Sequence, residues 1–253
     1  MLNALVSHMP YGLIKHLPQA GLIVPYCHMI SDHPVTHVRH LYAHKDVRAF
    51  EGDLEFLLRH YTPISLQELL TALRCGRVPP KRSFLLTFDD GFREMSDVVA
   101  PLLHAKGVPA AFFVTTAFLD NRTLCHQHTA SVIADRLSQI SSPALVAQIR
   151  SALPAAGTKN GDLVAALVSV PYRQRSVIES IARMAGIDTR AYLQQERPYL
   201  TSEQVHGLVK RGFAIGAHSI DHPLYEDLTL EEQLRQTRES LRHVREAYHL
   251  DYG

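Results

Sequence analysis

The 253-residue sequence predicts an α/β fold built on parallel strands, in one domain, and three stretches carry that reading. The first is Ser83 to Gly91, SFLLTFDDG, where Phe84, Leu85, Leu86 and Phe88 form a near-continuous apolar run that ends in two carboxylates and a glycine. Such a run is expected of a strand buried on both faces of a parallel sheet or barrel. The second follows it: a helical pattern through Met95, Val98, Val99, Leu102 and Leu103 to Lys106-Gly107, then the apolar stretch Val108 to Thr115. This strand, helix, strand unit predicts parallel pairing with a right-handed crossover. The third is Phe213 to Ala217, FAIGA, a short strand that delivers His218-Ser219-Ile220-Asp221-His222-Pro223. In parallel α/β folds the C-terminal ends of strands are where ligands bind, so both polar clusters fall where chemistry is done.

Composition limits the function classes. With 46% hydrophobic and 20% charged residues the chain can bury a full core. Lys plus Arg (26) nearly balances Asp plus Glu (25), which argues against a nucleic-acid surface. Cys27, Cys75 and Cys125 are odd in number and widely spaced, without a CxxC, so neither a disulfide scaffold nor a zinc-thiolate site is indicated. A reducing compartment fits. The N-terminal stretch MLNALVSHMPYGLIKHLPQAG is interrupted by His8, Pro10, Lys15, His16 and Pro18, so it offers neither an export signal nor a membrane span. The expectation is a cytoplasmic protein.

In chain order, Leu22 to Met29 reads as the first strand, ending at His28. His33, His37, His40 and His44 follow in a polar run, read as a loop over the active face rather than a ligand cluster. Asp46 caps a helix with Val47, Phe50, Leu54, Leu57, Leu58 and Tyr61 on its apolar face. Ser65 and Glu68 make a capping box for a shorter helix ended by Gly76. Between about residues 120 and 198 no clear strand appears. Ser131 to Ile140, Pro143 to Leu153 and Ser176 to Ala185 are helix candidates, with a small-residue break at Ala155 to Gly161, so this stretch is expected to be a peripheral helical insertion. Thr201 with Gln204 is a second capping box, for a helix through Val205, Leu208 and Val209 to Gly212. Thr229 and Glu232 cap a long final helix whose stripe is Leu230, Leu234, Thr237, Leu241, Val244 and Tyr248.

Successive side chains alternate across a strand, so Asp89 and Asp90 point apart: one can bind a metal while the other faces a substrate. Gly91 permits a sharp exit. A D-D-G surface turn is the plainer alternative. His218 and His222, four apart, can present both imidazoles to one ion, and a carboxylate from another strand completes an N, N, O set that leaves positions open for water. Sixteen histidines in 253 residues produce about one HxxxH pair by chance, and His33 with His37 and His40 with His44 are two more. Only His218 and His222 follow directly on an apolar strand preceded by a glycine-ended helix.

With TFDDG at Thr87 to Gly91, HSxxH at His218 to His222 after a G-F-x-I-G strand, and the opening PYCHMISD at Pro25 to Asp32, the chain resembles the polysaccharide deacetylase (NodB-homology, carbohydrate esterase family 4) family. The resemblance spans most of the chain except the insertion. It implies a distorted (β/α) barrel that hydrolyses the N-acetyl group of an amino sugar or polysaccharide with a divalent metal, Zn²⁺ first and Co²⁺, Ni²⁺ or Fe²⁺ as alternatives. Carried over residue by residue, Asp89 is the general base, Asp90, His218 and His222 bind the metal, and Thr87 and Ser219 support them. His28 is a further candidate for the site, with a half-buried structural histidine as its alternative. The later arginine, tryptophan and leucine-histidine motifs of the family are not found, so the barrel is expected to be incomplete at its C-terminal side, with an open edge inviting homo-oligomers. The alternative function is a catalytically weak or inactive metal-binding module.

Overall fold

The computed structural model describes residues 21–154 and 161–251. The N-terminal stretch with its interrupted apolar pattern, most of the small-residue break and the last two residues lie outside the described residues.

All strand pairs are parallel. The first apolar stretch is not one strand: β1 (Leu22–Ile23) and β2 (Tyr26–Cys27) are separated around Pro25, which has no N–H to donate. Next come α1 (Val47–His60), β3 (Thr62–Pro63), a two-residue strand that the sequence reading did not foresee, and α2 (Leu66–Arg74). The central run divides into β4 (Ser83–Phe84) and β5 (Leu86–Phe88). On one edge it is continuous, because the N–H groups of Ser83, Leu85, Thr87 and Asp89 donate in turn to the carbonyls of Gly21, Ile23, Pro25 and Cys27 at 3.0–3.1 Å. The opposite edge changes partner, from β3 beside β4 to β6 (Ala110–Val114) beside β5. The sheet therefore splays at Leu85, and its second half, in the order β2-β5-β6-β7 with β7 (Ala214–Ala217), carries the motif-bearing strand ends. Among the described strands β7 is paired on one side only.

The capping residues read from sequence act as expected. Asp46 accepts from the Ala49 N–H at 2.7 Å, and Ser65 and Glu68 form a reciprocal box. Thr201 and Gln204 do the same at the start of α9 (Ser202–Lys210). Each such cap contributes roughly 1 kcal/mol. After Gly91 the helix opens with a π-helical turn (Met95–Val99) before α3 (Ala100–Ala105); Pro101 has no N–H to return to Asp97, so a widened turn precedes it.

The insertion is helical: α4 (His126–Leu137), α5 (Pro143–Ala152), α6 (Leu163–Val168), α7 (Arg175–Met184) and α8 (Thr189–Glu196). Here α6 and α8 are additions, each too short to show a helical period and each started by an aspartate cap, Asp162 and Asp188. Ile133, Ile149, Leu167, Ile178 and Ile181 pack into a core of the insertion's own. The main core lies around the sheet, with Phe88 stacked on Phe112 at 5.2 Å and Phe50 and Phe213 edge-on to them. Gly216 in β7 admits no side chain, since a Cβ would sit 2.4 Å from the Phe113 ring.

The last helix, α10 (Leu230–Tyr248), buries Val244 and Tyr248 of the predicted stripe but overturns its N-terminal part. Its buried face is Gln236, Ser240, Val244 and Tyr248, while Leu230, Leu234 and Leu241 are exposed at 69%, 41% and 41%. A leucine stripe was expected inward because helix periodicity cannot tell which side meets the protein. The N-terminal half of α10 instead meets a polar loop, so its amide and hydroxyl residues turn in. Glu232 bonds Arg235 rather than its own N-cap, leaving half a capping box at Thr229.

Candidate metal centre

The two motifs meet at the strand ends. Asp90 leaves β5 with φ +79° and Gly91 follows at the same value. A Cβ on Gly91 would lie 3.3 Å from Val114 Cβ, so this exit needs glycine for both conformation and space. The turn buries Asp90 to 5% exposure and aims it at the loop after β7. In that loop Ser219 and His222 are both left-handed (φ +66° and +61°). Such residues persist only where the surroundings over-determine them, and here they do. His218 N–H donates to the Val114 carbonyl at 2.9 Å, Thr116 N–H to Ser219, Ala117 N–H to Ile220, and His222 N–H to Ser219 Oγ at 3.0 Å.

The result is a compact three-residue cluster. Asp90 Oδ1 lies 3.4 Å from His218 Nε2 and 3.1 Å from His222 Nε2, and one donor atom from each residue falls within 4.8 Å of the others. Although buried, Asp90 Oδ1 accepts no hydrogen bond of proper geometry. A buried, charged oxygen without a hydrogen bond is costly unless a cation is there to meet it. An N, N, O donor set on a partly exposed face fits a divalent ion of the zinc class with open positions.

Electrostatics separates the two aspartates. Burial works against the charge on Asp90, but the His222 imidazole outweighs it and holds the carboxyl to about 2. Burial pushes Asp89 above its ordinary value, only partly offset by His218 and His28. Burial disfavours the charged His222 as well, yet Asp90 and Cys125 raise it to about 10, so a cation at this position replaces a proton. Burial would push the Cys125 thiol up, but His126 and His222 draw it down to about 7.

The remaining predicted residues take distinct places. His28 stands beside Asp89, ring-packed between Tyr26 (5.6 Å) and Tyr42 (5.4 Å). Ser219 supports the loop through the His222 N–H. Thr87, expected to support the metal ligands, donates its hydroxyl to the Pro25 carbonyl at 3.3 Å and so ties β5 to the β1–β2 strand. His33, His37, His40 and His44 lie outside the cluster, as a loop reading requires.

Several residues around the cluster were not foreseen. Cys125 and His128 start the insertion, and both are bound to the buried Tyr199: its hydroxyl accepts from the Cys125 N–H at 3.1 Å and meets His128 Nδ1 at 2.6 Å. Burial holds His128 well below its usual range, hence neutral. The density of Cys125-His126-Gln127-His128 was the available signal. Asp221, inside HSxxH itself, bonds Tyr172 and Gln236, two residues from distant segments.

The family model described as polysaccharide deacetylase matches residues 76–252. None of the curated proteins matches the chain. Among solved structures the chain is similar to the Streptococcus pyogenes deacetylase PplD in complex with acetate (14% identity, TM-score 0.51, covering 90% of this chain and 68% of that one). It is likewise similar to IcaB from Ammonifex degensii (16%, 0.51, 91% and 71%) and to a de-N-acetylase from Aggregatibacter actinomycetemcomitans (15%, 0.51, 90% and 76%). At these identities the structural likeness bears on fold, and that fold is the distorted parallel (β/α) architecture of these enzymes. Among the described residues no helix is long and apolar enough to cross a membrane.

Proposed function

The chain belongs to the polysaccharide deacetylase family, hydrolases of the amide bond of sugar N-acetyl groups, and from that premise we propose that it is a divalent-metal-dependent carbohydrate deacetylase centred on Asp90, His218 and His222. The observation that carries the metal reading is the buried Asp90 Oδ1, without a hydrogen bond and flanked at 3.1 and 3.4 Å by two imidazole nitrogens. A divalent ion bound there supplies Lewis acidity, acidifying water and polarising the acetyl carbonyl. Zn²⁺ fits two imidazoles and one carboxylate, and Co²⁺, Ni²⁺ and Fe²⁺ accept the same donors.

The protein's own part is to divide labour between adjacent aspartates. Asp90, held ionised, gives its charge to the ion. Asp89, outside the ligand set but in charge contact with His218 and His28, accepts the proton of the attacking water. Burial raises its carboxyl from the ordinary value of 3.8, which makes it a stronger base once deprotonated, and the rate should fall as pH drops through that raised value. His28, in charge contact with Asp89, is positioned to orient it. Ser219 holds His222 on target.

The test is acetate release from N-acetylated glucosamine oligomers by the chain supplied with Zn²⁺ or Co²⁺. Metal-stimulated release, abolished by a chelator and restored by the ion, is the expected outcome. Stoichiometric ion binding with no release would favour a metal-binding module without turnover, and no ion binding would overturn the centre altogether.

A further inference from the structure

The loop that carries His218 and His222 has an unusual clamp. Asp221, between Ile220 and the ligand His222, has its two carboxylate oxygens taken by two elements that are far apart in sequence. Oδ1 accepts from Gln236 Nε2 of α10 at 2.6 Å, and Oδ2 accepts from the Tyr172 hydroxyl, in a short helical turn (Tyr172–Gln174) of the insertion. Gln236 is fully buried, and its Oε1 simultaneously accepts from the Ile220 N–H at 2.8 Å. One side-chain amide thus grips the loop twice. Tyr172 is itself fixed: 8% exposed, its ring lies under the Arg175 guanidinium at 4.2 Å and edge-on to His126 at 5.7 Å. Burial and the neighbouring carboxylate raise the Tyr172 phenol above its ordinary value, so the hydroxyl keeps its proton to donate.

These contacts do more than pack a surface. The loop contains two non-glycine left-handed residues, Ser219 and His222, a conformation disfavoured by about 1–3 kcal/mol per residue unless neighbours enforce it. Backbone bonds from residues 116 and 117 hold Ser219 and Ile220, but Asp221 is secured only through its side chain among the hydrogen bonds of the described residues. We propose that the Tyr172–Asp221–Gln236 triad is a positioning device for the metal centre, through which the helical insertion sets the orientation of His222. The insertion then acts as a working part of the site although none of its residues joins the Asp90, His218, His222 set. This inference rests on the proposed metal function, and its test reads the loop both with and without an ion.

The experiment compares the full chain with Tyr172→Phe, Asp221→Ala and Asp221→Asn, each verified as folded by circular dichroism. Without metal, amide hydrogen exchange at Ile220 and His222 should speed up in Tyr172→Phe and Asp221→Ala. With Co²⁺, affinity should fall about tenfold in both, the usual cost of removing a group that orients a ligand, and the Co²⁺ absorption spectrum should change. Asp221→Asn should stay near wild type, because its oxygen can still accept from Gln236 and its amide can donate to the tyrosine oxygen. Unchanged exchange at Ile220 and His222 in Tyr172→Phe would overturn the clamp whether or not an ion binds. Faster exchange with unchanged Co²⁺ affinity and spectrum would overturn its role at the centre. A wild-type chain that binds no Co²⁺ would instead remove the metal reading on which the proposal stands, an outcome distinguishable from the other two.

Discussion

His33 with His37 and His218 with His222 share one spacing, yet the two pairs end in opposite environments. The first pair lies in the loop before α1. His37 is buried at 4% exposure, its Nδ1 meets the Tyr192 hydroxyl at 3.1 Å, and its ring stacks on Phe92. His33 is exposed, and its carbonyl meets His44 Nε2 at 3.2 Å. Among the described residues no carboxylate joins them in a cluster. The second pair follows a parallel strand, at a loop with two left-handed residues, and both rings converge on a buried aspartate from the end of β5, two strands away. Spacing makes two imidazoles available to each other; the strand end and the neighbouring carboxylate make them a binding site. In the first pair only His37 packs, and burial lowers it to about 3, as expected of an imidazole kept neutral in a core.

The largest test of this contrast is ligand removal. In His222→Ala the ion loses one of three protein donors, so binding and activity should collapse. An ion at about 100 times its Kd stabilises the wild type by about 2.7 kcal/mol, and calorimetry should find that increment gone in His222→Ala but present in His37→Ala relative to its own metal-free form. If both variants lose it equally, the two pairs are not distinct.

Next in size is the division between the aspartates. Asp89→Asn should retain the ion-induced rise in Tm and lose on the order of 10² to 10⁴ in kcat, the usual worth of a general base. Loss of the Tm rise would place Asp89 among the ligands; an unchanged kcat would remove it from the chemistry.

A smaller effect sharpens the packing side. The unfolded chain takes up a proton at His37 near 6.5 while the folded one resists until about 3. Between those values the unfolded state binds the extra proton, so stability is intact above about pH 6.5 and declines as pH falls, by up to about 1.4 kcal/mol per unit. In His37→Phe, which keeps a ring against Phe92, urea denaturation from pH 7 to 4 should show a shallower slope. An identical slope would mean that other groups carry the acid sensitivity.

The smallest expected change is at His44, half-buried and bonded only to the His33 carbonyl among the hydrogen bonds of the described residues. His44→Ala should alter stability by less than about 0.5 kcal/mol and leave ion affinity unchanged. A marked loss of affinity would reopen the loop histidines as ligands.

How much was legible in advance follows from range. Asp46, Ser65 with Glu68, and Thr201 with Gln204 act on backbone within three residues, so local sequence specifies them. The apolar run at residues 84–88 and the strand, helix, strand unit encode parallel pairing, because a run with no polar alternation must be covered on both faces. With TFDDG and HSxxH each following a strand, their resemblance to the family named Asp90, His218 and His222 as a set from the sequence. The same locality explains the errors. The split of the first strand at Pro25 was open to the residue type, but β3 is two residues long and exists only because β4 offers it an edge. The N-terminal part of the α10 stripe differs from expectation because its periodicity admits two faces, and only the polar loop at residues 218–223 makes the Gln236 face the inner one, while Val244 and Tyr248 are buried as expected.

The sequence by itself determined the fold class and the caps, which depend on residue type and short spacing, and named the three candidate ligands through the resemblance that TFDDG and HSxxH carry. Only the tertiary structure decided that Asp90 Oδ1 would be left without a hydrogen bond between two imidazoles, that Cys125 and Tyr199 would gather behind His222, and that Tyr172 and Gln236 would meet on Asp221. The contacts on Tyr199 and Asp221 join segments 15 to 74 residues apart in the chain, and Asp90 meets its two imidazoles from farther still. Neither periodicity nor motif spacing encodes such a meeting, because it is set by how the insertion and α10 pack across the end of the sheet.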